Sequence, residues 1–377
     1  MTIGDRIREL RLERGLSQAE LAAELCRLSG RDTVTRETVS RWESGKREPR
    51  PYSIRHLSAA LRVSPDELQD PMSDPLRLAH EWLVSEPPQV IEVHAGRHVG
   101  TGLADQLERR VIELRHLDDQ LAGKNLAPVV TRELRETGAL IRNASYTDTV
   151  GRRMLTAYGE LAQLAGWVAS DAGLYAQAQR SYLSGVNAAD QAGNRGLAGN
   201  LLSSLSYQMA NVAKPSGALL LARSAERGAH DSPPAVRALL LERVAWAAAR
   251  SGERELAART LDKVDDTYES RTPGDDEPEW VYWLTRDEVD TMRARCAVEL
   301  GDPTTAETLL VPVLSRYPEQ SERESALYWS WLAEAYAQVG EIDQARASME
   351  VVGGFAESVR SQRVEDRIAA IEGLLPA

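Results

Sequence analysis

From about residue 150 onward, the sequence repeats a pattern in which an alanine follows a glycine by five positions and a large residue follows four positions later. The clearest copies pair Gly173 with Ala178, Gly252 with Ala257, Gly301 with Ala306 and Gly340 with Ala345, followed by Tyr182, Leu261, Leu310 and Met349. A weaker copy at Ala213 and Ala218 falls between the first two. Because two helices approach closely only where facing side chains are short, this pattern predicts stacked helix pairs with glycine in the turns.

Two of these copies are similar to tetratricopeptide repeats, which are stacked helix–turn–helix units. They are YAQAQRSYLSG at 175–185 and WLAEAYAQVGEIDQARA at 331–347. The spacing here is about 40 residues, whereas such repeats usually have about 34, so we expect longer helices or turns. The resemblance implies that residues 151–377 form a helical-repeat solenoid with a concave face.

The composition favours a helical protein in water. Ala and Leu are abundant and aromatic residues make up only 5%, which favours closely packed helices over sheets. No apolar run approaches the roughly 18 residues of a membrane span, and the first residues, MTIGDRIREL, lack the apolar core of a signal peptide. Cys26 and Cys296 lie far apart and suggest neither a disulfide framework nor a metal site. We therefore expect a soluble cytoplasmic protein that makes no membrane contact.

The net charge of -12 is unevenly distributed along the chain. Residues 1–70 hold 13 Lys and Arg against 12 Asp and Glu, so the remainder, with 32 basic and 45 acidic residues, carries -13. A near-neutral domain can bind DNA if its arginines share one face. The acidic remainder is expected to avoid DNA and to bind a protein, a peptide or a small ligand.

The first 70 residues hold several helix start signals. Ser17 followed by Glu20 is a capping box, in which each side chain bonds the backbone N–H of the other residue. Thr35 is a second N-cap, but Thr38 stands where the box has Glu or Gln, so this box is predicted to be incomplete. SPDE at 64–67 marks a third start. Apolar residues at helical spacing predict five short helices. Their core residues include, in order, Ile7, Leu21, Val39, Leu57 and Leu68.

Three linked segments closely resemble the Cro/repressor-like, or xenobiotic-response-element (XRE), helix-turn-helix family. They are LSQAELA at 16–22, VTRETVSRWESG at 34–45 and LRVSPDEL at 61–68. The resemblance covers residues 3–69 and implies a five-helix lambda-repressor-like DNA-binding domain at residues 1–70. The stretch CRLSGRDT at 26–33 lengthens the usual short connection between the paired helices.

In that family the second of the paired helices enters the major groove of DNA. Val39 and Trp42 are expected to face the core, and Glu43 to be an intramolecular hydrogen-bond partner. The residues assigned to base readout are Arg36, Glu37 and Arg41, with Thr38 and Ser40 in support. Those assigned to the DNA backbone are Gln18, Lys46, Arg47 and Arg50. The alternative for each arginine is an ordinary solvated surface position.

Residues 71–150 are predicted to hold a linker and connecting helices. DPMSDP at 70–75 has two prolines and no periodicity, which indicates a linker. Helices are expected at 76–84, 103–122 and 128–143, with a short extended segment at 89–93.

The sequence gives no indication of an enzyme. GRHVGTG at 96–102 lacks the strand–loop–helix context and the lysine of a phosphate-binding loop. His94 and His98 are spaced as metal ligands would be on a helix, but glycines interrupt the segment. There is no Gly-x-Ser-x-Gly motif. We predict no catalytic residue, no metal and no cofactor.

Between Ala257 and Ala306 the repeat spacing widens, and the stretch from Asp265 to Glu279 is acidic and contains Pro273. One interpretation is a solvated loop followed by core aromatic residues. The other is a ligand or partner surface, because stacked repeats build a concave face on which aromatic residues anchor partners. The candidate effector-binding residues are Trp280, Tyr282 and Trp283, together with Asn200, Tyr207 and Asn211 on another repeat.

A repressor-like domain followed by a tetratricopeptide-like body resembles regulators of Gram-positive bacteria, some of which sense short peptide pheromones. DPLRLAHEWLVSEPPQ at 74–89 and LAGWVASDAGLYAQAQRSYL at 164–183 resemble a group common in actinomycetes. The resemblance implies a homodimeric transcriptional regulator that binds double-stranded DNA and a peptide, protein or small-molecule effector. The alternative is a protein-interaction scaffold or antitoxin-like partner whose DNA-binding head is secondary. Repression and activation are equally compatible with the sequence.

Overall fold

A computed structural model of the chain describes residues 3–29, 33–61, 97–119, 123–212, 215–316, 322–356, 359 and 361–375. The chain divides into two compact units, Met1–Leu78 and Ala79–Ala377. The all-α class is confirmed, since within the described ranges the only strands are the two-residue β1, Arg97–His98, and β2, Ala144–Ser145, which pair in parallel. The expected fifth helix at Leu68, the linker at 70–75, the helix at 76–84 and the extended segment at 89–93 lie outside the described residues.

The N-terminal unit is built from short helices whose starts follow the capping signals. The helices are α1 Ile3–Glu13, α2 Gln18–Ser29, α3 Arg36–Glu43 and α4 Pro51–Leu61. The capping box before α2 is confirmed: Ser17 N donates to Glu20 Oε2 at 2.7 Å, and Glu20 N donates to Ser17 Oγ at 3.2 Å. Helix α2 continues to Ser29, so it includes the first half of the stretch predicted to be a long connection.

The prediction of an incomplete capping box before α3 was wrong. Thr38 N donates to Thr35 Oγ1 at 3.3 Å, and Thr35 N donates to Thr38 Oγ1 at 3.4 Å. A threonine hydroxyl accepts a backbone N–H as a carboxylate does, so Thr38 completes the box in place of Glu or Gln. Helix α3 therefore begins at a fixed residue, Arg36.

The core of the N-terminal unit holds α3 close to α1. Its buried apolar residues are Ile7, Leu10, Leu21, Ala22, Leu25, Val39, Trp42, Ile54, Leu57, Ala60 and Leu61. Gly4 lies where the two helices meet, and a Cβ on it would stand 2.2 Å from the carbonyl oxygen of Trp42. Only glycine allows the backbones to approach this closely.

The C-terminal unit is a succession of helices. They are α5 Thr101–Asp118, α6 Gly123–Asn143, α7 Asp148–Asp171, α8 Tyr175–Gln191, α9 Arg195–Val212, α10 Pro215–Gly228, α11 Pro234–Arg250, α12 Arg254–Glu269, α13 Arg286–Glu299, α14 Pro303–Arg316, α15 Glu322–Val339, α16 Ile342–Ala356 and α17 Gln362–Glu372, with a 3₁₀ turn at Glu279–Val281. Helix α6 begins at Gly123 instead of 128, because Pro128 is accommodated inside the helix. In the described part of the chain, no helix has the length and apolarity needed to cross a membrane.

Helices α7 to α16 pack as consecutive pairs, as the repeated glycine–alanine pattern predicts. The turn glycines Gly173, Gly252, Gly301 and Gly340 have φ of 77, 75, 71 and 81°, a left-handed conformation in which a Cβ is strained. The pattern's alanines, Ala178, Ala218, Ala257, Ala306 and Ala345, are all 0% exposed. These small residues are fully buried where the helices pack.

The acidic stretch expected as one loop from Asp265 to Glu279 begins inside a helix. Helix α12 continues to Glu269, because Asp265 accepts hydrogen bonds from Arg286 at 2.7 Å and from Arg293 at 2.5 Å. These bonds fix the last turn of α12 against α13. The loop proper runs from 270 to 278.

Candidate functional site

Helix α3 presents one face to the core and the other to solvent. Val39 is 0% exposed and Trp42 is 4% exposed, and both pack in the core of the N-terminal unit. Arg36, Ser40 and Arg41 lie on the exposed side. The tryptophan therefore points inward and the two arginines outward, as the sequence predicts.

Glu43 at the end of α3 is the centre of a buried hydrogen-bond network. Its carboxylate accepts bonds from Arg11 Nε at 2.5 Å, Arg11 Nη2 at 3.1 Å and Gln18 Nε2 at 2.7 Å. Arg11 also donates to the carbonyl of Leu16 at 2.6 Å. Glu43 is thus the intramolecular partner that the sequence predicts, and it links α1, the start of α2 and α3.

This network bears on the expected role of Gln18. Its side-chain amide is partly buried and bonded to Glu43. A phosphate contact at this point would use the unpaired backbone N–H groups of the first turn of α2.

The residues expected to read bases lie together on α3. Arg36, Glu37, Ser40 and Arg41 are exposed, and Thr38 is half-buried. Hydrogen bonds from the backbone N–H of Glu37 and from the Thr35 side chain lower the pKa of the Glu37 carboxyl, and Arg36 and Arg41 lower it further. The Glu37 carboxylate therefore lies in the first turn of α3, and the charges of Arg36 and Arg41 favour its ionised form.

The residues expected to contact the DNA backbone follow α3. Lys46, Arg47 and Arg50 are all exposed. Gly45 has φ of 68°, and Arg47 N donates to the carbonyl of Arg41 at 3.2 Å, so the chain folds back against the end of α3. These three cations lie on the segment that leaves the exposed helix.

The C-terminal unit contains a cavity of about 900 Å³. All six residues that the sequence suggests for effector binding line it: Asn200, Tyr207, Asn211, Trp280, Tyr282 and Trp283. The side chains differ in their surroundings. Trp246 Nε1 donates to Asn211 Oδ1 at 3.2 Å, the Tyr282 hydroxyl donates to Asp119, and Trp283 Nε1 donates to the carbonyl of Trp280 at 3.1 Å.

The cavity wall comes from equivalent positions of successive repeats, a signal that the sequence analysis missed. The residue six positions before the turn is, in successive helix pairs, Trp167, Tyr207, Trp246, Arg295 and Glu334. The residue nine positions before the turn is, in the same order, Leu164, Ser204, Arg243, Met292 and Trp331. Both sets line the cavity in full. The repeat alignment alone would have found them, because equivalent positions of stacked helices share one face.

Guanidinium groups stack on the aromatic residues of this wall. The Cζ of Arg295 lies 5.3, 4.6 and 5.2 Å from the ring centres of Tyr207, Trp246 and Trp331. Arg367 lies 3.5 Å from the ring centre of Trp331. Such contacts hold the arginine side chains in place while their N–H groups stay available at the edges.

Helix α17 contributes to the cavity from the far end of the chain. Ser361 Oγ donates to Asp171 Oδ1 at 2.7 Å, and Arg363 Nε donates to the same atom at 2.8 Å. Arg363 also lies over the ring of Trp167 at 4.7 Å. The last helix is thereby fixed to the end of α7, and its arginines line the cavity beside the repeats.

The two sites differ in the chemistry they can perform. The α3 surface offers guanidinium, ammonium and hydroxyl groups to a polyanion. The cavity offers aromatic faces and buried hydrogen-bond donors to a smaller ligand. Among the residues that the structure describes, no group of three or more His, Cys, Asp and Glu side chains is arranged to hold a metal ion.

In a helix-turn-helix domain the second of the paired helices carries the residues that contact DNA, and α3 packs against α1 and α2 with its arginines exposed. The sequence comparison agrees: residues 7–68 match the helix-turn-helix family. The N-terminal unit therefore carries an XRE-type helix-turn-helix domain. The match ends at residue 68, so it does not include the helices of the C-terminal unit. No curated protein matches the chain.

One solved structure that matches this chain in the structure comparison is PlcR of Bacillus thuringiensis, in a complex with the peptide PapR7 and DNA. The sequences are 12% identical, and the alignment covers 100% of this chain and 99% of that one, with a TM-score of 0.35. A score this low does not relate the two sets of helices element by element.

Proposed function

We propose that this protein is a sequence-specific transcriptional regulator that binds DNA as a homodimer and is controlled by an effector bound in its helical body. The observation that carries the proposal is the orientation of α3, with Val39 and Trp42 buried and Arg36 and Arg41 exposed. Such a helix reads base edges in the major groove.

The DNA contacts divide into two groups. Base readout is assigned to Arg36, Glu37 and Arg41, with Thr38 and Ser40 in support, because arginine pairs with guanine and glutamate accepts from cytosine. Backbone contacts are assigned to Lys46, Arg47, Arg50 and the start of α2 at Gln18.

The effector is assigned to the cavity of the C-terminal unit. This assignment is supported by its volume of about 900 Å³ and by its aromatic and polar lining, which are the properties of a small-molecule or peptide site. Asn200, Tyr207, Asn211, Trp280, Tyr282 and Trp283 are the proposed contacts.

The proposal is tested by selecting binding sites from a random library of double-stranded DNA with the full chain. We expect enrichment of a symmetric motif whose half-sites lie about 10 base pairs apart, with light scattering of the complex giving two chains per site. Equal recovery of all sequences would contradict the proposal. A second protein that co-purifies in equal amount, together with no DNA preference, would favour the interaction-scaffold alternative.

A further inference from the structure

Several side chains that line the cavity of the C-terminal unit carry a buried polar atom without a hydrogen-bond partner among the described residues, and most of these atoms are donors. The donors are Arg115 Nε and Nη2, Arg243 Nε, Arg295 Nε, Arg363 Nη2 and Trp280 Nε1, and Arg115 Nη2 is ion-paired with Glu160 at 3.5 Å. The unbonded acceptors are Gln208 Oε1 and Glu334 Oε2, of which the second is ion-paired with Arg367 at 2.6 Å. Buried donors without partners are costly, so their concentration here indicates a ligand that accepts hydrogen bonds.

Two polar residues of the cavity wall, Arg243 and Asn200, are strongly buried. Arg243 is 5% exposed and bonds Glu242 through Nη1 at 2.9 Å, which leaves its Nε unpaired. Asn200 is 6% exposed. Both residues line the cavity.

The acidic residues of the cavity wall, in contrast, already have partners. Asp118 and Glu324 bind Arg323, Asp287 binds Arg316, Glu299 binds Arg250 and Glu334 binds Arg367. Asp119, Glu288 and Asp366 accept from the hydroxyl groups of Tyr282, Tyr328 and Tyr175. A cationic ligand would have to displace these bonds, whereas an anion would add to the unpaired donors.

Arg295 lies in the middle of the aromatic cavity wall, over the rings of Tyr207, Trp246 and Trp331. Its Nη2 donates to the hydroxyl of Tyr207 at 2.7 Å, and it forms no ion pair with a carboxylate of the described residues. Burial alone would raise the pKa of Tyr207, but Arg295, Arg363 and Arg243 outweigh burial and lower it to about 8. The Tyr207 hydroxyl therefore lies in a local positive field, inside a C-terminal part whose charge is strongly negative.

We propose that the cavity binds a ring-bearing organic acid whose single anionic group is held by Arg295, Arg243 and Arg363 and whose ring packs among Trp167, Trp246 and Trp331. This inference rests on the proposed function, in which the cavity is the effector site. Carboxylate, sulfonate and phosphate share the recognition chemistry, since each accepts charge-assisted bonds from guanidinium groups. Asn200 and Trp280 supply further hydrogen bonds to the acid.

The experiment uses two fluorescent probes with the same rings. Anilinonaphthalene sulfonate carries one anionic group, and phenylnaphthylamine lacks it. We expect the full chain to bind the sulfonate at least about tenfold more tightly, which corresponds to one charge-assisted hydrogen bond, with quenching of tryptophan fluorescence. Equal affinity for the two probes would overturn the inference.

Substitution locates the anion. Arg295→Gln should weaken sulfonate binding about tenfold and leave binding of the neutral probe unchanged, which also reports an intact cavity. Arg259→Gln on the exposed side of α12 is the matched control and should change neither. The sulfonate should also raise the pH at which Tyr207 ionises. If Arg295→Gln loses binding of both probes, or if the sulfonate leaves the Tyr207 titration unchanged, the anionic group does not lie at Arg295.

The same probes separate the inference from the function on which it rests. DNA affinity is measured with and without saturating sulfonate. A sulfonate preference together with altered DNA affinity supports both. A preference for the sulfonate without any change in DNA affinity overturns control by the effector but supports the anion site. No preference, with selection of a DNA motif intact, overturns the anion site alone.

Discussion

Arg11 of α1 and Glu43 of α3 form a bidentate salt bridge inside the N-terminal unit, with Nε–Oε1 at 2.5 Å and Nη2–Oε2 at 3.1 Å. Both side chains are buried. Removing two charges from water is unfavourable, so the pair is stable only while both members are present and correctly placed. It therefore fixes the position of α3, and with it the surface proposed to read DNA.

Arg11→Met is predicted to destabilise the N-terminal unit by about 3 kcal/mol, because it leaves Glu43 charged and buried without its partner. The double substitution Arg11→Met with Glu43→Met should recover most of that loss, since two apolar side chains replace two charges. Hydrogen exchange of the α3 amides in the full chain measures the effect. Arg8→Met, at an exposed position on the same helix, should change stability by less than about 0.5 kcal/mol. A double variant less stable than either single variant would contradict this account.

Arg36→Ala and Lys46→Ala are predicted to weaken DNA binding in different ways. Arg36→Ala should cost about 1–3 kcal/mol on the selected site and relax its preference at one base pair. Lys46→Ala should weaken binding to selected and random DNA alike. It should also reduce the slope of log affinity against log salt concentration by about one, the value for one phosphate contact. Band shifts on both DNAs over a series of salt concentrations distinguish the two patterns. Equal losses on both DNAs for both variants would refute the assigned roles.

Local signals explain why much of the fold was predictable. The Ser17–Glu20 capping box and the glycine–alanine pattern each act within a few residues, so the sequence displays them directly. The Thr35–Thr38 box was judged incomplete only because the expected residue type was too narrow. These signals determine where helices start and which small residues they bury.

The cavity was only partly predictable, because its chemistry depends on contacts between distant segments. Aromatic residues suggested a surface near Trp280 and Tyr207. The arginines that give it charge were missed, since Arg363 reaches Asp171 across just over half the chain. The repeat alignment would have placed Arg243 and Arg295 on the cavity face. It gives no indication that α17, outside the repeats, adds Arg363 and Arg367.

Ala257→Leu is predicted to destabilise the helical body by about 2 kcal/mol or more, because the added carbons overpack a site with no exposed surface. Ala258→Leu is the matched control: the neighbouring alanine is exposed, and its substitution should change stability by less than about 0.5 kcal/mol. Urea unfolding followed by circular dichroism compares the two. Similar losses for both would contradict the role of the repeated alanine as a tightly packed, fully buried position.

Tyr207 is predicted to ionise well below an ordinary tyrosine. Burial would raise its pKa, and Arg295, Arg363 and Arg243 instead lower it to about 8 from an ordinary value of 10. Tyrosinate absorbance of the native chain should therefore show a transition near pH 8 that is absent from Tyr207→Phe. If the difference spectrum between the two proteins shows ionisation only at pH 10 or above, the guanidinium groups do not face this hydroxyl.

The same shift predicts how stability changes with pH. The native chain releases the Tyr207 proton near pH 8, and the unfolded chain releases it near 10, so the depressed pKa adds stability as the pH rises between these values. The added stability is complete above pH 10 and is lost as the pH falls through 8, and it amounts to about 3 kcal/mol. The difference in unfolding free energy between the unsubstituted chain and Tyr207→Phe isolates this contribution from other titrating groups. That difference should grow across the interval, and a constant difference would mean that the phenolate gains nothing from the surrounding arginines.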